Sequence, residues 1–321
     1  MKKRITYLIV MLAILTLVTG CSYPFTNQVF KKSSGESEKK GDAVTIEGNY
    51  EVEYDKNIIP ENEKLLLSKG FYGFTLLTRK GIENITDIPF VVNKSIPRNA
   101  FYDNDQICGF YVSKNDEGII YLYNIKTKEY KEILKEFQYT PQKQFFNISY
   151  FKNNKIIATG EYNDGFTVFN LNTRTVEHIT VKMNRKEFYV DNVVMCEQGY
   201  LVCCGYREGN RFPVEHIFID KNGTIIKSYK IPNIQNLGSR YMELSPDSSM
   251  LLYSIGKTGD NRYLYDFTTE TVYELYDSHS PGTQWSSDGK SFYLFDYIGK
   301  QDNRVKWKVT KRDVKDIIIN K

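Results

Sequence analysis

The sequence predicts an all-β fold, a β-propeller of six four-stranded blades, placed behind an N-terminal leader and a polar tether. Three observations lead there. Residues 240–276 read as four short strands separated by tight polar turns. That pattern recurs along most of the chain at a spacing of 42 to 50 residues, the period of a propeller blade. Aromatic residues make up 14%, with 25 Tyr and 19 Phe, and long helical periodicity is absent.

The stretch 240–276 sets the template. Its first strand, around Tyr241 and Glu243, runs into Ser245-Pro246-Asp247-Ser248, a turn signal. Residues 250–255 form an apolar strand, 257–261 a break, and Tyr263, Leu264 and Tyr265 a third strand closed by Asp266. Thr268-Thr269-Glu270 turns the chain into a fourth strand over 272–276. The polar residue closing the third strand recurs as Thr78, Asn124, Asn170, Asp220, Asp266 and Lys308. Each follows an apolar residue: Leu77, Tyr123, Phe169, Ile219, Tyr265 or Trp307. Each precedes a strand carrying Ile85, Ile133, Ile179, Ile226, Leu275 or Ile317. Phe169 and Tyr265 are expected to be buried between blades.

The predicted first blade takes strands at 44–54, 64–67, 71–77 and 82–88. Later blades cover 91–135, 145–181, 190–231, 240–276 and 282–319. Ring closure is expected to pair elements from both termini, because a closed ring leaves no exposed inner sheet edge.

The chain before residue 44 has a different character. Lys2, Lys3 and Arg4 precede an apolar run over 5–18, which is of signal-peptide length and too short for a comfortable membrane span. It ends at Leu17-Val18-Thr19-Gly20-Cys21, which resembles the lipobox of bacterial lipoproteins. The resemblance implies cleavage between Gly20 and Cys21 and thioether lipidation of Cys21. That makes 1–20 a signal peptide and leaves an extracytoplasmic chain held to the bacterial cell membrane by lipid. Residues 21–43 are polar and charged and read as a flexible tether to a propeller over 44–321.

The formal net charge is +4, and removal of Lys2, Lys3 and Arg4 leaves +1. No basic stripe remains to suggest nucleic-acid binding. Besides Cys21 there are Cys108, Cys196, Cys203 and Cys204, in apolar strands where cysteine packs as a small hydrophobe. A hairpin at Glu197-Gln198-Gly199 leaves open a disulfide between Cys196 and Cys203. No cysteine pair has zinc-ligand spacing, and no cofactor motif or metal set is predicted. His178, His216 and His279 fall in separate repeats and read as strand or loop residues.

Ser245-Pro246-Asp247-Ser248-Ser249 and Ser286-Ser287-Asp288-Gly289-Lys290 resemble the Ser-Pro-Asp-Gly-Lys turn of TolB-like propellers. In that family an apolar strand follows, then an aromatic strand ending in Asp, as in Tyr263-Leu264-Tyr265-Asp266. The blade before has Glu197-Gln198-Gly199 at this place, and the one before that Lys152-Asn153-Asn154-Lys155. The resemblance implies the propeller and leaves function open, since fold does not fix activity. No Gly-x-Ser-x-Gly elbow appears, no acids are paired by spacing, and no catalytic residue is assigned.

Turns between first and second, and third and fourth, strands are tight, such as Asn172-Thr173-Arg174. Links at the opposite end are longer: 135–144, 182–187, 207–211, 232–240 and 257–262. Function collects on longer loops held by a rigid frame. That end is the predicted binding face, with Arg207, Arg211, Arg240 and Arg262 as candidate ligand contacts and an anionic partner implied. Two functions are expected: a membrane-anchored binding or scaffold protein for a protein, peptide or cell-wall ligand, or alternatively an extracytoplasmic carbohydrate-active enzyme, a glycosidase or lyase.

Overall fold

A computed structural model describes residues 42–46, 50–68, 74–85, 97–112, 118–141, 147–160, 164–184, 187–206, 214–229, 231, 241–255, 261–275, 282–301 and 304–319. The chain divides into two compact units, 1–39 and 40–321. The first, with Gly20, Cys21 and most of the tether, lies outside the described residues, and the second is the propeller. Among the described residues no helix is long and apolar enough to cross a membrane.

Six sheets make the six blades. The first holds β3 (Leu65–Ser68), β4 (Phe74–Thr78) and β5 (Gly81–Ile85). The second holds β6 (Pro97–Asp103), β7 (Gln106–Val112), β8 (Gly118–Asn124) and β9 (Tyr130–Glu132). The third holds β10 (Asn147–Lys152), β11 (Lys155–Thr159), β12 (Gly165–Asn170) and β13 (Thr175–Thr180). The fourth holds β14 (Phe188–Cys196), β15 (Gly199–Tyr206), β16 (Val214–Ile219) and β17 (Ile225–Tyr229). The fifth holds β18 (Tyr241–Leu244), β19 (Met250–Ile255), β20 (Asn261–Asp266) and β21 (Thr271–Leu275). In each of these blades successive strands are antiparallel, and the first is innermost.

The sixth blade is built from both ends of the chain. Its order is β1 (Asp42–Ile46), β2 (Tyr50–Tyr54), β24 (Arg304–Asp313), β23 (Ser291–Gln301), β22 (Gly282–Trp285). Closure by both termini is as expected, but the strands are allotted differently. Residues 42–54 complete the last blade, so the first blade has three strands among the described residues. The physical reason is the match between β2 and β24, which pair in parallel with Val52 opposite Trp307 and Glu51 and Glu53 opposite Lys306 and Lys308. Val52, Tyr54, Trp307 and Val309 are buried with Leu65, Leu67 and Leu77 of the first blade.

The polar anchors hold in five blades, Thr78 closing the second of the three described strands of the first, and the hydrogen bonds say why they are polar. Each begins a side-chain-capped turn. Asn124 Oδ1 accepts from the Lys126 and Thr127 amides, both at 3.0 Å. Asn170, Asp220 and Asp266 do the same, and Thr78 uses its hydroxyl. Lys308 is the exception: it lies inside β24, which runs on to Asp313. The expected strand around Ile317 is instead the helix α2 (Val314–Ile319). Ile133 likewise opens a helical turn, α1 (Ile133–Glu136), and is buried there.

The core lies between neighbouring blades. Phe169 (1% exposed) packs with Cys108 and Phe110 of the second blade, and Tyr265 (2%) with Leu201, Cys203 and Phe218 of the fourth. Both occupy the predicted register.

Candidate ligand-binding site

The connections divide the ring into two unlike ends. At one end β10 passes to β11 through 153–154, and β14 to β15 through 197–198. In the fifth and sixth blades the Ser-Pro-Asp and Ser-Ser-Asp turns are built alike. Ser245 Oγ donates to Asp247 Oδ1 at 2.6 Å and accepts the Met250 amide at 2.9 Å. Ser286 Oγ donates to Asp288 Oδ1 at 2.7 Å and accepts the Ser291 amide at 3.2 Å. At the other end β15 reaches β16 through 207–213 and β17 reaches β18 through 230–240. The long connections thus leave from one end.

The axial region at the tight-turn end is polar, but its acids serve the frame. The Tyr150 phenol, on inner strand β10, is pushed up by burial and then by Asp103, Cys196 and Glu243 of the second, fourth and fifth blades. Asp103 Oδ2 accepts the Asn153 amide at 2.7 Å, joining second and third blades. Glu243 Oε1 accepts the Trp285 amide at 3.1 Å, while Trp285 Nε1 donates to the Glu243 carbonyl at 3.0 Å. Glu63 accepts from the Ser287 amide at 2.7 Å and the Tyr293 hydroxyl at 2.9 Å. These carboxylates tie blade to blade.

Inner strand β14 differs toward the long-loop end. It carries a bulge between Val190 and Asn192, which places Asp191 as the extra residue. Bulges re-aim side chains and recur beside functional sites. Tyr189 lies opposite Gly205, and a Cβ at Gly205 would fall 2.2 Å from Tyr189 Cζ, so the ring lies directly over that glycine. Its remaining surface is open, leaving Tyr189 39% exposed. Asp191 is exposed as well, yet the surrounding protein pushes its carboxyl above the usual range. The Tyr189 phenol is raised by burial first and then by Asp191. Across the blade boundary, Thr159 Oγ1 donates to the Asp191 carbonyl at 3.3 Å.

Of the four candidate arginines, Arg207, Arg211 and Arg240 lie outside the described residues. Arg262 is a residue of β20, 3% exposed, so it is not an exposed loop cation. It faces the sixth blade, where its charge opposes the desolvation that raises Asp296. The equivalent position in the third blade is Phe166, so the sequence places a guanidinium where a repeat uses an aromatic ring.

His178 is exposed on β13, His216 is fully buried on β16, and His279 lies outside the described residues. Cys108, Cys196, Cys203 and Cys204 are free thiols. Register prevents the Cys196–Cys203 disulfide, because Cys196 faces Gly199 while Cys203 faces Asn192 further along the pair. Among the described residues no group of three or more His, Cys, Asp and Glu side chains is placed to hold a metal ion. The bulge in β14 at Asp191 was not legible in the sequence, because it interrupts strand alternation.

The chain is a six-bladed β-propeller closed by its own N-terminal strand. Its sequence matches no protein-family model and no curated protein. Among solved structures it is similar to an oligogalacturonate lyase in complex with manganese, over 81% of this chain and 76% of that one, with a TM-score of 0.50 and 8% identity. It is also similar to TolB from Acinetobacter baumannii, over 74% of this chain and 60% of that one, with a TM-score of 0.47 and 15% identity. A chain of a nidogen/laminin complex is similar over 80% and 90%, with a TM-score of 0.49 and 12% identity. At such identities the likeness is one of fold alone.

Proposed function

We propose that this chain is a membrane-anchored extracytoplasmic lipoprotein whose propeller binds a protein, peptide or cell-wall ligand on its long-loop end. The observation that carries the binding reading is the asymmetry of the ring. One end is sealed by short, side-chain-capped turns, and the other presents the longer connections on a frame closed by β2. The connections that contain Arg207, Arg211 and Arg240 leave from that long-loop end. The anchoring reading is supported by Leu17-Val18-Thr19-Gly20-Cys21.

The test uses the full-length chain. Wild type should fractionate with membranes as a lipid-bearing form beginning at Cys21, and Cys21→Ala should remain as uncleaved precursor. A processed Cys21→Ala form still held at the membrane would refute the anchor. For binding, wild type should retain a partner from an envelope extract. Turnover of a glycan by the purified protein would replace the binder with the enzyme.

A further inference from the structure

We propose that Cys203 and His216, register partners inside the fourth blade, form a binding site for one soft monovalent metal ion of the copper(I) type. The site is separate from the long-loop binding face and stands or falls independently of what that face binds.

The sheet places the two side chains together. Cys203 of β15 is the register partner of His216 of β16, and cross-strand partners project on one face with Cβ atoms about 4.5–5.5 Å apart. The row continues with Asn192 of β14 on one side and Tyr229 of β17 on the other. Cys203 and His216 are both fully buried, and Cys203 packs in one core cluster with Met242, Tyr253 and Tyr265 of the fifth blade.

His216 points to a ligand. Among the described residues neither its Nδ1 nor its Nε2 has a hydrogen-bond partner, and Asn192 Oδ1, on the other side of Cys203, has none either. Buried polar atoms are nearly always paired, and an orphaned imidazole beside a thiol is an exception that a metal ion explains. Burial pushes the His216 pKa down to about 3, which keeps the ring in the neutral form that gives a lone pair to a metal.

Charge decides which ion fits. One thiolate and one neutral imidazole balance a monovalent cation, so the filled site brings no net charge into the core. A divalent ion would keep a positive charge there, which burial makes costly. Structural zinc takes four ligands, whereas among the described residues no group of three His, Cys, Asp or Glu is placed to hold a metal. Copper(I) is soft, prefers thiolate and thioether, accepts imidazole, and is satisfied by two ligands in line. Met242 adds a thioether to the same packed cluster without adding charge. On binding, the Cys203 S–H bond breaks, an S–Cu bond forms and the proton leaves to solvent, with no change in oxidation state. On this face the next residue of β15 toward the long-loop end is Gly205, covered by the partly exposed Tyr189 ring. An ion enters when that ring swings aside.

The test offers copper(I), held by the coloured competitor bicinchoninate, to reduced full-length protein without oxygen. Wild type should withdraw one equivalent that Cys203→Ala and His216→Leu do not. Each variant should bind at least about 100-fold more weakly, since even outer partners of a metal ligand are worth about 10–100-fold. Cys204→Ala, changed on the opposite face of the same strand, should bind as wild type does. X-ray absorption of the loaded wild type should show copper with sulfur and nitrogen neighbours together. Melting curves report folding, and if a variant does not fold, the absorption spectrum of wild type decides the matter. No uptake by wild type, wild-type uptake in Cys203→Ala or His216→Leu, or copper held by sulfur alone overturns the site.

Discussion

Gln284 and Leu66 meet across the seam of the ring: Gln284 Oε1 accepts the Leu66 amide at 3.2 Å, and its Nε2 donates to the Lys64 carbonyl at 3.0 Å. One side chain thus joins the inner strands of the last and first blades, which are separated by more than 200 residues of chain. Outside it, Tyr54 of the N-terminal strand donates to the Thr78 carbonyl at 3.2 Å. Closure is therefore made twice, once at the axis and once through β2.

Gln284→Leu should weaken that seam without altering the blades. Two hydrogen bonds lost at a partly buried site correspond to about 1–3 kcal/mol. Denaturant unfolding should show a lower midpoint. Hydrogen exchange should rise first at Leu66 and along β2. Unchanged exchange there would mean that β2 alone closes the ring.

The Arg262 charge favours the ionised form of Asp296 in the sixth blade, and Thr310 Oγ1 donates to Asp296 Oδ2 at 3.4 Å. Arg262→Met should lower stability by about 1–3 kcal/mol, because the desolvated Asp296 loses a positive charge that opposes its burial. Adding Asp296→Leu should recover much of the loss. A double variant no more stable than Arg262→Met would show that the guanidinium acts through other neighbours.

His216 provides the pH dependence. Burial pushes its pKa down to about 3, from an ordinary value near 6.5. The folded state therefore disfavours protonation. The stability contributed by keeping His216 neutral is complete above about pH 6.5, and it is lost as pH falls toward 3, at about 1.4 kcal/mol per unit. His216→Leu should flatten this part of the stability curve. Parallel curves for wild type and variant between pH 6.5 and 4 would contradict the assignment.

Gly223 has φ +80°, and a Cβ there would lie 1.9 Å from the Thr180 carbonyl oxygen of the third blade. The Lys182 amide donates to the Gly223 carbonyl at 2.9 Å, so the turn cannot easily move away. Gly223→Ala should cost about 1–3 kcal/mol in thermal or denaturant unfolding, from strain and clash together. A neutral result would show that the contact between these blades is loose.

The propeller was legible in the sequence because its marks are local. Asn124, Asn170, Asp220 and Asp266 cap turns a few residues away, and Ser245 and Ser286 build theirs within five residues. Closure was legible only in outline. The pairing of Glu51-Val52-Glu53 with Lys306-Trp307-Lys308 is complementary in charge and apolar content, but it spans the whole ring. Arg262 was misplaced because position in a repeat says where a residue sits, not whether a neighbouring blade brings it a carboxylate.

The most direct test of binding at the long-loop end is site-specific photo-crosslinking in the full-length, membrane-anchored protein. A photoreactive residue replaces Glu187 or Tyr206 at the long-loop end, or Asn172 or Thr269 in the tight turns. The first pair should give a discrete adduct with a partner, and the second pair should give none. Adducts from Asn172 or Thr269, with none from Glu187 or Tyr206, would contradict binding at the long-loop end.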